Sequence, residues 1–282
     1  MLTDARKGKY AVPMYDVSNY EMIRHLAELA EDMKSPLMLA VNGHDIEGVG
    51  LEYLHELMKV AAKRVKAPIV IHLDHAPSVA ECVRCIDIGF NSVMIDRSCA
   101  SIEENIADTK TVVGLSHPKG ICVEAELGHV PNAVLGIGES CSDVEDVNDT
   151  LTKVEDVKTF VEQTNVDALA VAIGTAHGSY ISAPTLDIER LKKINAASKA
   201  VLVLHGGSGT PPEQVKEAIA NGICKINIYT DLVRAWNTAL KDEMANLSEI
   251  TRWPIALYKK PIAAMKEKGA YYMELFGSAG RA

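Results

Sequence analysis

The chain has 282 residues, of which 48% are hydrophobic and 24% are charged, and its formal net charge at pH 7 is -9. This length suits one α/β barrel, and the negative charge argues against nucleic acid or an anionic membrane as a partner, because either would repel the protein. No apolar run reaches the roughly 20 residues that span a bilayer, and the first residues lack the apolar segment of a signal peptide. We therefore expect a cytoplasmic protein.

Short apolar stretches rich in β-branched residues alternate along the chain with amphipathic helical stretches. The predicted strands are 11–16, 36–42, 68–75, 92–96, 120–128, 167–178, 200–209 and 224–231. Predicted helices fill 49–65, 78–88, 101–115, 154–164, 186–197 and 211–220, and a long helical region follows the last strand. About eight strand–helix units predict one domain over 1–282, a single TIM (β/α)8 barrel. A doubly wound open sheet is the alternative, because alternation alone does not demonstrate closure.

Residues 128–153 break this regular pattern with a long, acidic connection that contains glycine. Such a connection inside a compact domain is usually functional or mobile. Because it follows a strand end, which is the catalytic side of a barrel, we interpret it as an active-site lid. A surface insertion without a role in the site is the alternative.

Polar residues stand where most of the predicted strands end. They are Asp74 and His75, Asp96, Glu126, His177 and Gly178, His205 to Ser208, and Asn227 to Asp231. In a barrel these strand ends gather at one face. Three histidines that leave a fourth position open are typical of a catalytic zinc site, and carboxylates beside them can orient the ligands, hold another cation or act as a base. The glycine-rich turn 205–209 leads into a helix, which is a pattern that binds phosphate through backbone N–H groups.

Several of these segments together resemble the class II fructose-bisphosphate and tagatose-bisphosphate aldolases. The segments are LDHA (73–76), SVMIDRS (92–98), VEAELG (123–128), DALAVAIGTAHG (167–178), LVLHGGSG (202–209), KINIYTDL (225–232) and LFGSAGRA (275–282). The resemblance covers nearly the whole chain. It implies a metal-dependent lyase that cleaves a phosphorylated ketose to dihydroxyacetone phosphate and an aldehyde, and a homodimer or homotetramer.

The resemblance also implies roles for individual residues. Zn²⁺ would bind His75, His177 and His205, and Asp74 would be the catalytic acid/base at the C4 hydroxyl of the substrate. Asp96 and Glu126 match positions of a second or displaced metal site. The phosphate segments would be Gly178, Gly206, Gly207 and Ser208, together with Asn227, Ile228, Tyr229 and Thr230. A monovalent cation, Na⁺ or K⁺, often assists that phosphate.

Some positions depart from the pattern of the family and concern specificity. Arg97 replaces a common glycine beside the metal site, where a guanidinium could recognise an anion of the substrate or simply point to solvent. Asn42 stands where many relatives carry a phosphate-contacting serine, and Tyr229 replaces a small or acidic residue. The segment 253–255 reads Trp-Pro-Ile where relatives often have Asp-Pro-Arg, whose arginine grips the distal phosphate.

The loss of that arginine leaves the acceptor end of the substrate open. A ketose 1-phosphate whose acceptor aldehyde is unphosphorylated or carries a carboxylate is one alternative substrate. Arg234, Arg252 or Lys259 could instead replace the arginine.

Other functions on the same fold remain alternatives. They are a metal-dependent isomerase or epimerase, a structural barrel and a non-catalytic barrel that binds sugar phosphates. A class I mechanism would use Lys225 as its nucleophile. We expect Lys225 to lie one residue out of phase with the neighbours of Asn227 and far from any strand end, which argues against that mechanism.

Overall fold

The computed structural model describes residues 1–133, 150–247 and 253–282. Eight parallel strands follow one another around a closed barrel, and the last strand pairs with the first. The strands are β1 (Val12–Asp16), β2 (Leu37–Val41), β3 (Ile69–Ala76), β4 (Ser92–Ile95), β5 (Cys122–Leu127), β6 (Ala168–Val171), β7 (Val201–Leu204) and β8 (Ile223–Ile228). The predicted single TIM barrel is confirmed, and its closure excludes the open doubly wound sheet.

Helices cover the outside of the barrel. They are α1 (Leu2–Gly8), α2 (Tyr20–Met33), α3 (Gly43–Val49), α4 (Leu51–Lys63), α5 (Val79–Ile88), α6 (Ile102–Ser116), α7 (Val154–Thr164), α8 (Ile188–Ala197), α9 (Pro212–Ala220), α10 (Thr230–Ala245), α11 (Pro254–Leu257) and α12 (Lys259–Leu275). We predicted one helix over 49–65, but the structure has two, which meet at Gly50. The φ of Gly50 is +101°, a conformation that ends a regular helix.

Alternate strand residues face two separate cores. Residues such as Leu73, Val93 and Ala125 pack outward against the helices, in the larger cluster. Met14 and Ala170 belong to a smaller cluster inside the barrel. Because both faces of every strand are covered, the strands are continuously apolar rather than alternating with polar residues.

The amino-terminal end of the barrel is covered by α1. The guanidinium of Arg6 on this helix donates to Oδ1 of Asn195 at 2.8 Å and to the carbonyl oxygens of Ser198 and Ala200 at 3.3 Å. These contacts fasten α1 beside the start of β7. The opposite, carboxyl-terminal end is the one at which the polar residues predicted from the sequence lie.

Two features of composition can be compared with the structure. Cys82 and Cys85 are buried thiols on α5, so their C-x-x-C spacing belongs to a helix, as predicted. Among the residues that the structure describes, no helix is both long and apolar enough to cross a bilayer.

Candidate metal centre and phosphate cavity

An irregularity in β3 turns two successive side chains toward the inside of the barrel. Leu73 pairs with Val93 and Ala76 pairs with Ile95, so β3 contains one residue more than β4 across this interval. His75 takes up the extra length with a left-handed backbone, φ 47°, which is uncommon for a residue other than glycine. Asp74 and His75 can therefore both contact the site, although successive residues of a regular strand face opposite sides.

His177 and His205 reach the same place from other strands. His205 directly follows β7, whereas His177 lies in the loop after β6, which already ends at Val171. The ring centroid of His75 is 4.9 Å from that of His177 and 4.6 Å from that of His205. One ligand nitrogen from each ring lies within 4.8 Å of the other two. The structure thus brings together all three predicted zinc ligands.

The arrangement of these ring nitrogens fits a metal ion. Nδ1 of His75 contacts Oδ2 of Asp96 at 2.7 Å, and Nε2 of His205 contacts Oε1 of Glu124 at 3.0 Å. The other nitrogen of each ring faces the neighbouring histidine, and Nε2 of His75 lies 2.8 Å from Nδ1 of His205. Among the described residues, neither nitrogen of the buried His177 ring has a hydrogen-bond partner. Three imidazoles that converge on one point, one of them with two buried nitrogens that have no partner among the described residues, are what a three-histidine zinc site requires.

The protonation of these rings also suits metal binding. Burial, together with the charge of His75, holds the pKa of His177 well below its usual value. Burial likewise lowers the pKa of His205. The neutral imidazole is the form that binds a metal, so neither ring has to lose a proton at neutral pH.

Asp74 lies beside this cluster and is held as a carboxylate. Its oxygens lie 3.7 Å from Nε2 of His72 and 3.8 Å from Nε2 of His75, and the amide of Asn227 donates to both. Burial opposes its charge, but the imidazoles of His75, His72 and His205 outweigh burial and hold the pKa of Asp74 well below its usual range. An ionised carboxylate facing the metal position can accept a proton.

Asp96 and Glu126 flank the other side of His75. Ligand atoms of these three residues lie within 4.8 Å of one another, so they form a second group that could hold a cation. Oε1 of Glu126 accepts from the backbone N–H of Val130 at 2.8 Å, whereas its buried Oε2 has no partner among the described residues. Burial and the nearby charge of Asp96 raise the pKa of Glu126 well above its usual value.

A cavity of about 290 Å³ opens beside the histidines. Its walls include Asp74, His177, Gly178, Gly206, Gly207, Ser208, Asn227, Tyr229 and Thr230, which the sequence predicted, and also Asp16, Ser179 and Arg234. Most of the predicted phosphate residues therefore line one cavity. It lies at the start of α10, where backbone N–H groups and the helix dipole favour an anion.

The glycines of this wall allow the backbone to come close. A Cβ on Gly206 would lie 2.4 Å from the carbonyl oxygen of Ala176, and one on Gly207 would lie 2.5 Å from Cγ2 of Ile226. The hydroxyl of Tyr180 donates to the carbonyl oxygen of Gly206 and accepts from the N–H of Ala176, both at 2.8 Å. Tyr180 thus fastens the turn after β7 to the loop that carries His177.

Arg234 supplies a cation at this wall. It lies in α10, and its Nη2 donates to Oγ of Ser179 at 2.6 Å while its Nη1 lies 3.3 Å from Oδ1 of Asp231. Among the described residues that line the cavity, it is the one permanently charged cation. Of the three replacements considered for the missing arginine, Lys259 does not line the cavity and Arg252 lies outside the described residues.

Three residues predicted for specificity or phosphate binding are not in the cavity wall. Nε of Arg97 lies 2.8 Å from Oδ2 of Asp108 in an ion pair directed toward α6. The side chain of Asn42 caps α3 by accepting from the N–H groups of His44 and Asp45. Ile228 packs in the outer core, because its position in β8 faces the helices.

Sequence reasoning missed a buried polar chain below the site. Nζ of Lys225 donates to both oxygens of Glu124 at 2.8 and 2.7 Å and lies 3.5 Å from Nε2 of His72. Lys225 and Asn227 stand two positions apart in β8, and both face the barrel interior. Glu124 and His72 stand two residues before Glu126 and Asp74, so strand alternation could have identified them as inward-facing.

The lid predicted at 128–153 lies partly outside the described residues, which omit 134–149. Its two described ends are held together between β5 and β6. The N–H of His129 donates to the carbonyl oxygen of Thr150 at 2.7 Å, and the hydroxyl of Thr152 donates to that of Leu127 at 2.5 Å. The N–H of His177 donates to Pro131 at 2.8 Å, so the start of this connection also helps to place a predicted metal ligand.

A larger cavity of about 610 Å³ lies at the amino-terminal end of the barrel. Its walls are formed partly by α1 and by the first residues of several strands, and they contain none of the three histidines. Active sites of TIM barrels lie at the carboxyl ends of the strands. We therefore assign the candidate site to the smaller cavity beside the histidines.

Comparison with known proteins agrees with the fold and identifies the family. The family model described as class-II fructose-bisphosphate aldolase matches residues 1–281. The fold superimposes on the YdjI aldolase of Escherichia coli K12 with 34% identity and a TM-score of 0.87, covering 100% of this chain and 97% of the other. A Coccidioides immitis protein, provisionally described as a fructose-1,6-bisphosphate aldolase, has 30% sequence identity and a TM-score of 0.87. The match covers 99% of this chain and 96% of the other. The fructose-bisphosphate aldolase of Campylobacter jejuni has 20% sequence identity and a TM-score of 0.83, and the match covers 100% of this chain and 94% of the other. At this identity it supports the fold alone.

Proposed function

We propose that this chain, which belongs to the class II fructose-bisphosphate aldolase family, is a zinc-dependent lyase that reversibly cleaves a ketose phosphate into dihydroxyacetone phosphate and an aldehyde. The observation that carries the proposal is the convergence of His75, His177 and His205 beside the carboxylate of Asp74. A structural barrel would have no reason to bury the imidazole of His177 at the mouth of the strands, since neither of its nitrogens has a hydrogen-bond partner among the described residues.

The histidines would hold the metal, and the residues around it would move the proton. Zinc bound there supplies a Lewis acid that stabilises the negative charge which develops on the substrate oxygens as the carbon–carbon bond breaks. Asp74 accepts the proton of the C4 hydroxyl, and the C3–C4 electron pair remains on the dihydroxyacetone half as an enediolate. Return of that proton to C3, directly or through solvent, completes the dihydroxyacetone phosphate and restores the carboxylate of Asp74. Asn227 donates to both oxygens of Asp74 and keeps this carboxylate directed at the site.

The phosphate of the dihydroxyacetone half would bind in the cavity at the start of α10. Gly178, Gly206 and Gly207 let the backbone approach, Ser208 and Thr230 add hydroxyl groups, and Arg234 adds a guanidinium. Charge-assisted hydrogen bonds from an arginine are about twice as strong as neutral ones, so Arg234 would be the main electrostatic contact. A monovalent cation, Na⁺ or K⁺, is part of the proposal, as is a second divalent site at Asp96 and Glu126.

The acceptor end favours a second candidate substrate, a ketose 1-phosphate without a distal phosphate. The side chains of Trp253 and Ile255, at the position of the missing arginine, are exposed by 79% and 71% and carry no charge. Arg97, which could have recognised another anion, is paired with Asp108. Among the described residues, then, Arg234 serves the first phosphate and no second cation lines the cavity.

The proposal is tested by a coupled assay for dihydroxyacetone phosphate with zinc-loaded protein, with and without EDTA. Substrates are fructose 1,6-bisphosphate, tagatose 1,6-bisphosphate and several ketose 1-phosphates. Chelator-sensitive release of dihydroxyacetone phosphate supports the lyase, and a higher kcat/KM for a 1-phosphate than for either bisphosphate supports the second candidate. Isomerisation or epimerisation without a three-carbon product would favour the alternative enzymes of the same fold.

The proposal includes a cytoplasmic homodimer or homotetramer, as is common in this family. Sedimentation of the purified protein measures the assembly directly.

A further inference from the structure

The buried pair of Lys225 and Glu124 lies in the centre of the barrel, directly below the candidate metal site. Both side chains are almost inaccessible to solvent, with exposures of 0% and 2%. Two charges in such a place are expensive to bury, and replacing a buried pair with apolar groups often leaves stability unchanged or improved. Stability of the fold alone therefore does not explain why this pair is present, and its contacts indicate a role in the metal site.

Glu124 joins the pair to a predicted metal ligand. Its Oε1 lies 3.0 Å from Nε2 of His205, and Nδ1 on the other side of that ring lies 2.8 Å from Nε2 of His75. A carboxylate accepts only, so Nε2 of His205 must carry the proton in this hydrogen bond. Nδ1 then presents its lone pair toward His75 and the metal position.

Lys225 determines where that carboxylate lies. Its Nζ donates to both oxygens of Glu124 and fixes the rotation of the carboxylate. Both oxygens of the carboxylate accept from Nζ of Lys225, and Oε1 also faces Nε2 of His205, so the geometry holds Glu124 as the acceptor for this ring.

We propose that Lys225 and Glu124 are positioning residues, which fix the tautomer and ring orientation of His205 so that its Nδ1 is presented to the metal. This inference rests on the proposed metal site. It also gives Lys225 a role other than that of a nucleophile, because its Nζ donates to both oxygens of Glu124 inside the barrel.

The test compares the double variant E124L/K225M with wild type and with the variant T109V, which removes a buried hydroxyl on α6. The double variant has no unpaired buried charge, so its apo form should unfold near the wild-type temperature. Its zinc affinity, measured by competition with a chromogenic chelator, should fall by about 10- to 100-fold, as expected when a partner that orients a ligand is removed. The visible spectrum of the cobalt(II)-substituted protein should change as well, whereas T109V should match wild type in both measurements.

Zinc affinity and a cobalt spectrum equal to those of wild type in the double variant would overturn the inference. If the double variant does not fold, E124D serves, because it keeps the charge beside Lys225 and draws the carboxylate away from His205. Weaker zinc binding by E124D supports the inference and unchanged binding overturns it. Failure of wild type itself to bind zinc would overturn the proposed function along with this inference, so the two failures are distinguishable.

Discussion

The side-chain amide of Asn227 lies 3.3 Å from each carboxylate oxygen of Asp74 and 3.3 Å from Nε2 of His205. A single residue of β8 thus contacts both the proposed acid/base and a proposed metal ligand. Because an amide N–H₂ group can only donate, it favours the ionised form of Asp74. The carboxylate is thereby held close to the metal position in the form that accepts a proton.

The variant D74N should separate proton transfer from metal binding. Asparagine keeps the shape of the side chain but cannot accept the substrate proton as a base. We expect kcat to fall by about 10²- to 10⁴-fold, the usual contribution of a general base, while the zinc content stays near wild type. Steady-state kinetics and metal analysis measure the two effects.

A matched control for this substitution is D87N. Asp87 is an exposed carboxylate on α5 that pairs with Lys119 at 2.8 Å. Its substitution should leave kcat unchanged. Retention of most activity in D74N would contradict the assigned role, and a parallel loss of zinc would mean that Asp74 acts on the metal instead.

Removal of one proposed zinc ligand should abolish the increase in thermal stability that zinc gives the folded protein. A ligand that binds only the folded protein stabilises it by about 2.7 kcal/mol at a concentration of 100 Kd. Zinc should therefore raise the Tm of wild type, and EDTA should reverse the rise. H177A should show neither a shift in Tm nor activity, because it loses one of the three proposed metal ligands, whose nitrogens have no other partner among the described residues.

Differential scanning calorimetry with and without zinc measures this linkage. The control is H117A, which removes an imidazole at the amino-terminal side that pairs with Asp167 at 2.9 Å. H117A should keep the zinc-dependent shift. A shift of equal size in H177A would show that zinc binds elsewhere.

The barrel and the residue types of the site could be predicted from the sequence, because both depend on local patterns. Continuous apolar strands separated by amphipathic helices specify a parallel sheet covered on both faces, and polar residues at strand ends mark its functional edge. Asp74, His205 and Asn227 follow from these patterns alone.

Other parts of the site depend on contacts between distant segments. His177 lies beyond the end of β6 and is placed by backbone pairing with residues 131–133, which no periodicity predicts. His75 faces inward because β3 contains an extra residue relative to β4. The partners of Lys225 have a similar origin, since Glu124 and His72 reach it from other strands across the barrel interior.

Arg234 should determine affinity for the phosphate of the substrate. A hydrogen bond to a charged group contributes about 1.5–3 kcal/mol when buried, and the half-exposed position of Arg234 calls for the lower end of this range. We expect R234Q to lower kcat/KM by about 10-fold, mainly through KM, and R234K to recover part of the loss because it restores charge without the planar fork.

The decisive comparison for Arg234 is the reverse reaction with dihydroxyacetone in place of its phosphate. R234Q should lose little on this donor, since no phosphate is left to contact. R24Q, which changes an exposed arginine on α2 that pairs with Glu28, is the control. Equal losses of R234Q on both donors would assign Arg234 to support of the fold through Ser179 and Asp231.

A class I mechanism can be excluded by reductive trapping. Borohydride added during turnover reduces a Schiff base to a stable adduct, which mass spectrometry detects. We expect no adduct on wild type, because the ammonium of Lys225 is buried between Glu124 and His72. An adduct on Lys225 would contradict the metal-based mechanism directly.

Gly128 should be required for the site because it closes the two described ends of the connection after β5. Its φ is +77°, and a Cβ there would lie 2.7 Å from the backbone nitrogen of Thr152 and 2.8 Å from the carbonyl oxygen of Thr150. Gly120 provides a matched control, since its φ is +72° but a Cβ would meet no atom within 4 Å. G120A therefore carries only the backbone cost of a left-handed residue, about 1–2 kcal/mol, whereas G128A adds a clash with backbone atoms.

We expect G128A to lower Tm by more than G120A does, and to lower kcat as well. Glu126 stands two residues earlier, and its Oε1 depends on the N–H of Val130 in the same turn, so a displaced turn would move the carboxylate beside His75. Thermal unfolding and the coupled assay on both variants give the comparison. An equal loss of Tm in the two variants with kcat unchanged would show that the turn yields to the new methyl group, and that the position of Glu126 does not depend on it.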